Sequence, residues 1–425
     1  MKCLPANLIC VLLMLLLSAP AWSAPLTLQE CLQKAKENNP GLKSSAWDTR
    51  LAQENIRLAK SANYPRIDAQ GGYTMQLEPQ AVKINGFTAE TQDANYLTGG
   101  LTASYTIYDF GRRNARTQQA VAVADASAQT FEARRSDVAL QVIETYFGIL
   151  ETAKLIRAAE DEVSQVEEHR RVAQVLFEEG VVTRNDVLQA DVRLASARQK
   201  LLAMQNRREN LWLLLNFHTG NPAGFRADLD EDAAMPPARK DGNNDASFLS
   251  RRHEIQALRH TLEASEAEVK ESRSNFYPEL FTRLALDYVQ NDKVTEQAIM
   301  SASIGIKVNL FDGFASTSAR EKALKNRSRV QDTLLLAEQQ TRLEADTAAN
   351  DLAVSKVRIL VAEAAIRQSE ENLRINRERY RERVGTATEV LDAQTLVTQA
   401  KTDYYQAFYD NQTALARLKR AVGEL

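Results

Sequence analysis

Histidine, cysteine and carboxylate are the residue types from which hydrolytic, redox and metal chemistry is built, and this 425-residue chain has four histidines and three cysteines. His169, His218, His253 and His260 would have to meet each other, or acids, to hold a metal or move protons. Only His253 and His260 are spaced to share a helix face, and without an ordered carboxylate or thiol companion a solvated face is expected there. No Gly-rich phosphate loop, nucleophile elbow or zinc-ligand spacing occurs. Cys3 and Cys10 fall in an N-terminal stretch that reads as a removable address. Cys31 is then alone in an oxidising compartment and makes no intrachain disulfide. The expectation is no catalytic residue, no metal site, no cofactor and no enzymatic activity.

That address reads Met1-Lys2, an apolar stretch from Leu8 to Leu17, then Ala21-Trp22-Ser23 before Ala24, as in a secretory signal peptide over residues 1–23. Its apolar part, about ten residues, is half of what a membrane-spanning helix needs, and no later run is long enough. Any membrane role must therefore use strands. No cysteine stands directly after the cut, so no lipid anchor is expected. The net charge is -3, with 26% charged residues of both signs interspersed. Nucleic acid, which calls for a basic stripe, is not an expected partner.

Asp186 and Glu389 stand just after tight turns, where an acid ordinarily caps a helix or faces its dipole. The two belong to one pattern. Phe177 through Ala190 matches Tyr380 through Ala393 at an offset of 203 (390 minus 187), and the same offset carries Tyr108-Asp109 onto Phe311-Asp312. Upstream, Asn63-Tyr64-Pro65 pairs with Phe276-Tyr277-Pro278 at an offset of 213, so the intervening loops differ by ten residues. The chain is a duplication. The first repeat covers 24–219 with strands at about 66–78 and 96–108. An irregular segment follows over 220–244, and the second repeat covers 245–425 with strands at about 279–289 and 299–311.

Leu97, Gly99, Leu101, Ala103, Tyr105 and Ile107 alternate with Thr98, Gly100, Thr102, Ser104 and Thr106, and Met300, Ala302, Ile304 and Ile306 repeat the pattern in the second half. Period two marks strands with one apolar face. Soluble hairpins packed on helices would have the same alternation. Four strands cannot close a membrane barrel, because the smallest have about eight, so several copies would have to pool theirs. Between strand and turn, about Arg112 to Phe177 and about Ala315 to Tyr380 contain no proline, and each predicts a helix of about 66 residues, roughly 99 Å long. Val330, Leu334, Ala337, Thr341, Ala345, Ala348, Leu352, Ser355, Ile359, Ala362, Ile366, Ser369, Leu373, Asn376 and Tyr380 recur at steps of four and three, a coiled-coil seam. Val138, Val142, Tyr146, Ile149, Ala153 and Ile156 begin one in the first helix.

Tyr380 through Ala393 and its first-half partner resemble the duplicated tip motif of TolC-type outer membrane efflux proteins, and the resemblance covers essentially the whole mature chain. It implies a mostly α fold with β, in which a homotrimer forms a 12-strand β-barrel in the outer membrane and a helical tunnel in the periplasm. It implies the function of an exit duct in tripartite efflux or type I secretion. The partners would be a periplasmic adaptor (membrane fusion protein), an inner-membrane pump of RND, ABC or MFS type, and outer-membrane lipid. Carried over by position, the periplasmic gate falls on Tyr380, Glu389, Asp392 and Asp186. The adaptor-docking tip falls on Gly180, Val181, Val182, Thr183, Val384, Gly385 and Thr386. Gly385 stands where the family has a locking arginine, and Arg184 is the nearby substitute. The rival reading is a periplasmic coiled-coil scaffold or adaptor without a barrel.

Overall fold

Long runs free of proline become helices because every backbone N–H can then reach the carbonyl four residues back. A computed structural model describes residues 25–237 and 248–425. The expected signal peptide, and residues 238–244 of the expected irregular segment, lie outside the described residues. Helices α1 (Leu28–Asn38) and α2 (Pro40–Ser61) lead into strands β1 (Arg66–Met75), β2 (Ala81–Ile84), β3 (Phe87–Glu90) and β4 (Asn95–Tyr108). Then come α3 (Arg112–Glu178), α4 (Arg184–Thr219), α5 (His253–Ser274), β5 (Glu279–Val289), β6 (Ala298–Lys307), α6 (Ala315–Arg381) and α7 (Ala387–Ala421). The protein is mostly helical with antiparallel strands. The helices α3 and α6 have 67 residues each, about 100 Å at the standard rise. Among the described residues no helix is apolar enough over a sufficient length to cross a membrane.

The chain divides into two compact units. One contains residues 43–134 and 243–343 and carries the strands. Its main sheet has the order β1-β4-β5-β6, all antiparallel, so the two repeats meet at the central β4·β5 pair. Arg66 pairs with Ser104 in the first hairpin and Glu279 with Lys307 in the second. These are equivalent positions, since 66 plus 213 is 279 and 104 plus 203 is 307. The duplication therefore preserved the register as well as the sequence. The strand β6 stops at Lys307 although the alternation runs on through Val308 and Leu310, because its partner β5 begins at Glu279, directly after Pro278. The ribbon β2·β3, read from sequence as loop, turns at Asn85 and Gly86, both with positive φ (49° and 88°). Asn-Gly between short apolar-polar runs is the signal that would have found it.

Each main hairpin passes into its long helix through two consecutive left-handed residues: Phe110 and Gly111 in the first repeat, Gly313 and Phe314 in the second. The preceding aspartate caps the helix in both. Asp109 Oδ2 accepts from the Arg113 N–H at 3.0 Å, and Asp312 Oδ2 from the Ser316 N–H at 3.0 Å.

The other unit contains residues up to 42, 135–242 and 344–425. Its main core joins Cys31 and Ala35 of α1, Val142, Ile143, Tyr146 and Phe147 of α3, Leu215 of α4, and Tyr409 and Ala416 of α7. Burial raises the Cys31 thiol to about 12, so it is an inert apolar filler there. The Tyr146 hydroxyl donates to the carbonyls of Leu26 (3.0 Å) and Asp230 (3.1 Å), which fastens the irregular segment to the bundle. Along both long helices, every seam position expected from the three-four spacing is buried or half-buried. Small seam residues give close contact: Asn411 Nδ2 of α7 donates to Ser355 Oγ at 2.9 Å.

Candidate functional site

The two tip turns both lie in the second unit. In the first, α3 ends with the Gly180 N–H donating to the Phe177 carbonyl (3.0 Å) and the Val181 N–H to the Leu176 carbonyl (2.8 Å), around Gly180 at φ 72°. In the second, Arg383 and Val384 make the same two bonds to Tyr380 (3.1 Å) and Arg379 (2.9 Å), around Arg383 at φ 63°. Both are Schellman closures, which need a left-handed residue just past the helix. Glycine meets that need in one turn; in the other an arginine adopts it against its steric preference.

Each turn then starts a helix through the same box. The Asp186 carboxylate accepts from the Thr183 N–H and hydroxyl, both at 2.8 Å. Glu389 accepts from the Thr386 N–H at 2.9 Å, while its own N–H donates to the Thr386 hydroxyl at 3.3 Å. The bond from the Thr386 N–H holds the Glu389 carboxyl below its ordinary range, helped by the Arg379 guanidinium at 3.8 Å. The cation beside Glu389 within the chain is Arg379, in the last turn of α6. Gly385 sits tight: a Cβ there would lie 3.1 Å from Arg379 Cβ and 3.2 Å from both Glu389 Oε2 and the Tyr380 nitrogen.

The expected gate residues divide into two groups and a remainder. Tyr380 packs on the cluster of Leu373, Val390, Ala393 and Val397 that joins α6 to α7. Its ring also lies 5.6 Å from that of His169 on α3. The Tyr380 hydroxyl and His169 Nε2 are both buried and lack a hydrogen-bond partner among the described residues. Burial raises the Tyr380 phenol and depresses the His169 imidazole; Arg377 depresses His169 further, while Asp186 opposes that and adds to the push on Tyr380. Tyr380, Asp186 and His169 therefore form one electrostatic group, Glu389 and Arg379 another, and Asp392 lies exposed on α7. Of the tip residues, Val384 is 68% exposed and Val181 42%, with Gly180, Thr183 and Thr386 also exposed and Val182 and Gly385 half-buried. His169 was missed as a site residue, although its place between Val166 and Ala173 continues a three-four stripe. Among the described residues no group of histidine, cysteine, aspartate and glutamate is arranged to hold a metal ion.

Known proteins resemble the chain on this same plan. The sequence model described as outer membrane efflux protein matches residues 31–221 and 246–424. The probable efflux pump outer membrane protein TtgC of Pseudomonas putida is 26% identical over 259 residues, 60% of this chain. That match spans 52% of TtgC, about half its length. The alkaline protease secretion protein AprF of Pseudomonas aeruginosa is 22% identical over 92% of this chain and 83% of its own. The outer membrane protein TolC of Vibrio cholerae is 21% identical over 96% and 93%. Among solved structures, CusC superposes with a TM-score of 0.82 at 17% identity, over 93% of this chain and 92% of that one. VceC of Vibrio cholerae gives 0.81 at 17%, over 93% and 96%.

Proposed function

We propose a function from the premise that this chain belongs to the outer membrane efflux protein family: it is one protomer of an outer-membrane exit duct with its helices in the periplasm. Cargo passes through it from an inner-membrane pump by way of a periplasmic adaptor. The observation that carries the reading is the state of the sheet. Cross-strand partners share a face, so the register puts Ile67, Leu101, Leu284, Leu286, Met300 and Ile304 on one side. That side is uncovered, with Met300 82% and Ile304 75% exposed. Among the described residues, strands β1 and β6 are edges without a further partner. An uncovered apolar face wants lipid, and in lipid an open edge must be closed by another strand. Three copies would contribute twelve strands. Apolar residues left exposed on α6, Val354, Val357, Leu360 and Val361, fit neighbouring helices of the same assembly.

The duct conducts passively and catalyses nothing. The tip turns, with Val181 and Val384 outward, meet the adaptor, and Tyr380, Asp186, Glu389 and Asp392 form the gate. The pump and adaptor choose the cargo. A scaffold with soluble hairpins would pack the apolar face of the sheet on a helix, and the exposure of that face argues against it.

Detergent-extracted protein should run as a trimer and insert as channels in planar bilayers. Glu389→Ala with Asp392→Ala should weaken cation preference and block by multivalent cations. Extraction from washed membranes without detergent, or a monomer in mild detergent, refutes the duct; unchanged selectivity refutes the gate.

A further inference from the structure

The polar side of the sheet carries a second chemistry, at the end where the strands join the helices. There a cavity of about 810 Å³ is lined by Arg66, Ser104, Thr106, Glu279, Arg283 and Lys307 together with the residues around Tyr64. Its charges do not balance. Among the described residues Glu279 is its one lining carboxylate, and it is already engaged by Thr106 Oγ1 at 2.8 Å and by the Arg112 guanidinium at 2.7 Å. Arg66 pairs with Asp68 at 2.9 Å, but both side chains are mostly exposed, and such a pair is readily exchanged for another anion. Arg283 and Lys307 form no salt bridge among the described residues. Once Arg112 has neutralised Glu279, Arg283 and Lys307 line the cavity with no salt-bridge partner among the described residues, and Arg66 has only an exposed, exchangeable one.

Register supplies the spacing. Arg66, Ser104, Arg283 and Ser303 are successive partners across β1, β4, β5 and β6, so Arg66 and Arg283 share a face two strand spacings apart, about 10 Å. The Ser104 hydroxyl lies between them. Lys307, opposite Glu279, borders the same cavity. Two arginines on strands so spaced, with Ser104 between and Lys307 beside them, suit an anion carrying charge at both ends.

We propose that this cavity is a binding site for soluble polyvalent anions, such as a diphosphate or polycarboxylate, and that anionic cargo is held there in transit. Calling the anion cargo rests on the duct reading; the binding needs only the single chain. Calorimetric titration of the full-length protein, in neutral detergent at low ionic strength, with sodium pyrophosphate tests it. One site per chain is expected. Affinity should fall roughly tenfold in Arg283→Ala and in Arg66→Ala, the loss of one charge-assisted bond each, and be largely kept in Arg283→Lys. It should be unchanged in Asp287→Asn, on the same face but outside the cavity. No binding by the native chain, or equal binding by Arg283→Ala, overturns the proposal. So does loss of pyrophosphate binding on adding phosphatidylglycerol, which would make this a lipid-headgroup site. Planar-bilayer recordings on the same preparation separate the two readings: channels without pyrophosphate binding overturn the anion site alone, and binding without channels overturns the duct alone.

Discussion

The two tip turns have nearly the same backbone and different side chains. Residues 176–186 and 379–389 make equivalent closing bonds and equivalent capping boxes, position for position at the offset of 203. Yet the left-handed place holds Gly180 in one and Arg383 in the other, while the crowded place two residues on holds Val182 in one and Gly385 in the other. Duplication copied the hydrogen bonds, and each copy then distributed its glycine differently. The strand-to-helix joints did likewise, with Phe110-Gly111 answered by Gly313-Phe314. What persists between repeats is the set of φ values and bonds, and the residue that meets each requirement is free to change.

The contrast breaks most visibly at Gly385. Introducing an arginine there should destabilise the second turn by about 1–2 kcal/mol, because Arg379 Cβ and the Tyr380 backbone would have to give way. Val182→Arg should be nearly neutral by the same thermal melt in detergent. Equal effects would mean that the crowding at Gly385 is relieved without cost.

Next comes the left-handed residue itself. Gly180→Ala should cost about 1 kcal/mol, and Arg383→Gly should gain about half that, since glycine relieves the strain but adds freedom to the unfolded chain. Limited proteolysis at each tip reads both, and faster cleavage of Arg383→Gly would contradict the assignment of strain.

The smallest effect concerns pH. His169 is held neutral by burial below its ordinary value of 6.5, so below that pH the unfolded chain binds the proton more readily than the folded one. Stability should fall as pH drops from about 6.5 through the depressed value. His218, buried and depressed likewise, contributes in the same direction. His169→Gln should flatten the acid side of a Tm-against-pH curve without abolishing the slope, and an unchanged curve would place His169 in contact with solvent.

Much of the architecture was legible because it rests on periodicity. Alternation at Leu97 to Ile107 and at Met300 to Ile306 gave the strands their faces, and the three-four spacing from Val330 to Tyr380 gave the buried seam of α6. The ribbon β2·β3 was lost because four-residue strands are too short for a period to register, and only Asn85-Gly86 announces it. The candidate site was less legible. The motif pointed to Asp186 and Glu389, and both are caps as their turns require. The cation beside Glu389 is set by how the last turn of α6 folds back, a matter of three-dimensional closure that placed Arg379 there. His169 hid because a polar residue on an apolar stripe reads as an interruption, whereas here it is a member of the buried stripe.

The central β4·β5 pairing has a consequence for ancestry. It joins the two repeats within one chain by the same kind of antiparallel contact that, in the proposed assembly, β6 would make with the β1 of a neighbouring copy. Before the duplication, a half-length gene product would have met its own copy at that seam, and an equal circle of strands would have taken twice as many subunits. Fusing two of them replaced a contact that had to be found by diffusion with one guaranteed by the peptide chain. It also released the two halves from identity, and the divergent tip turns are the record of that release.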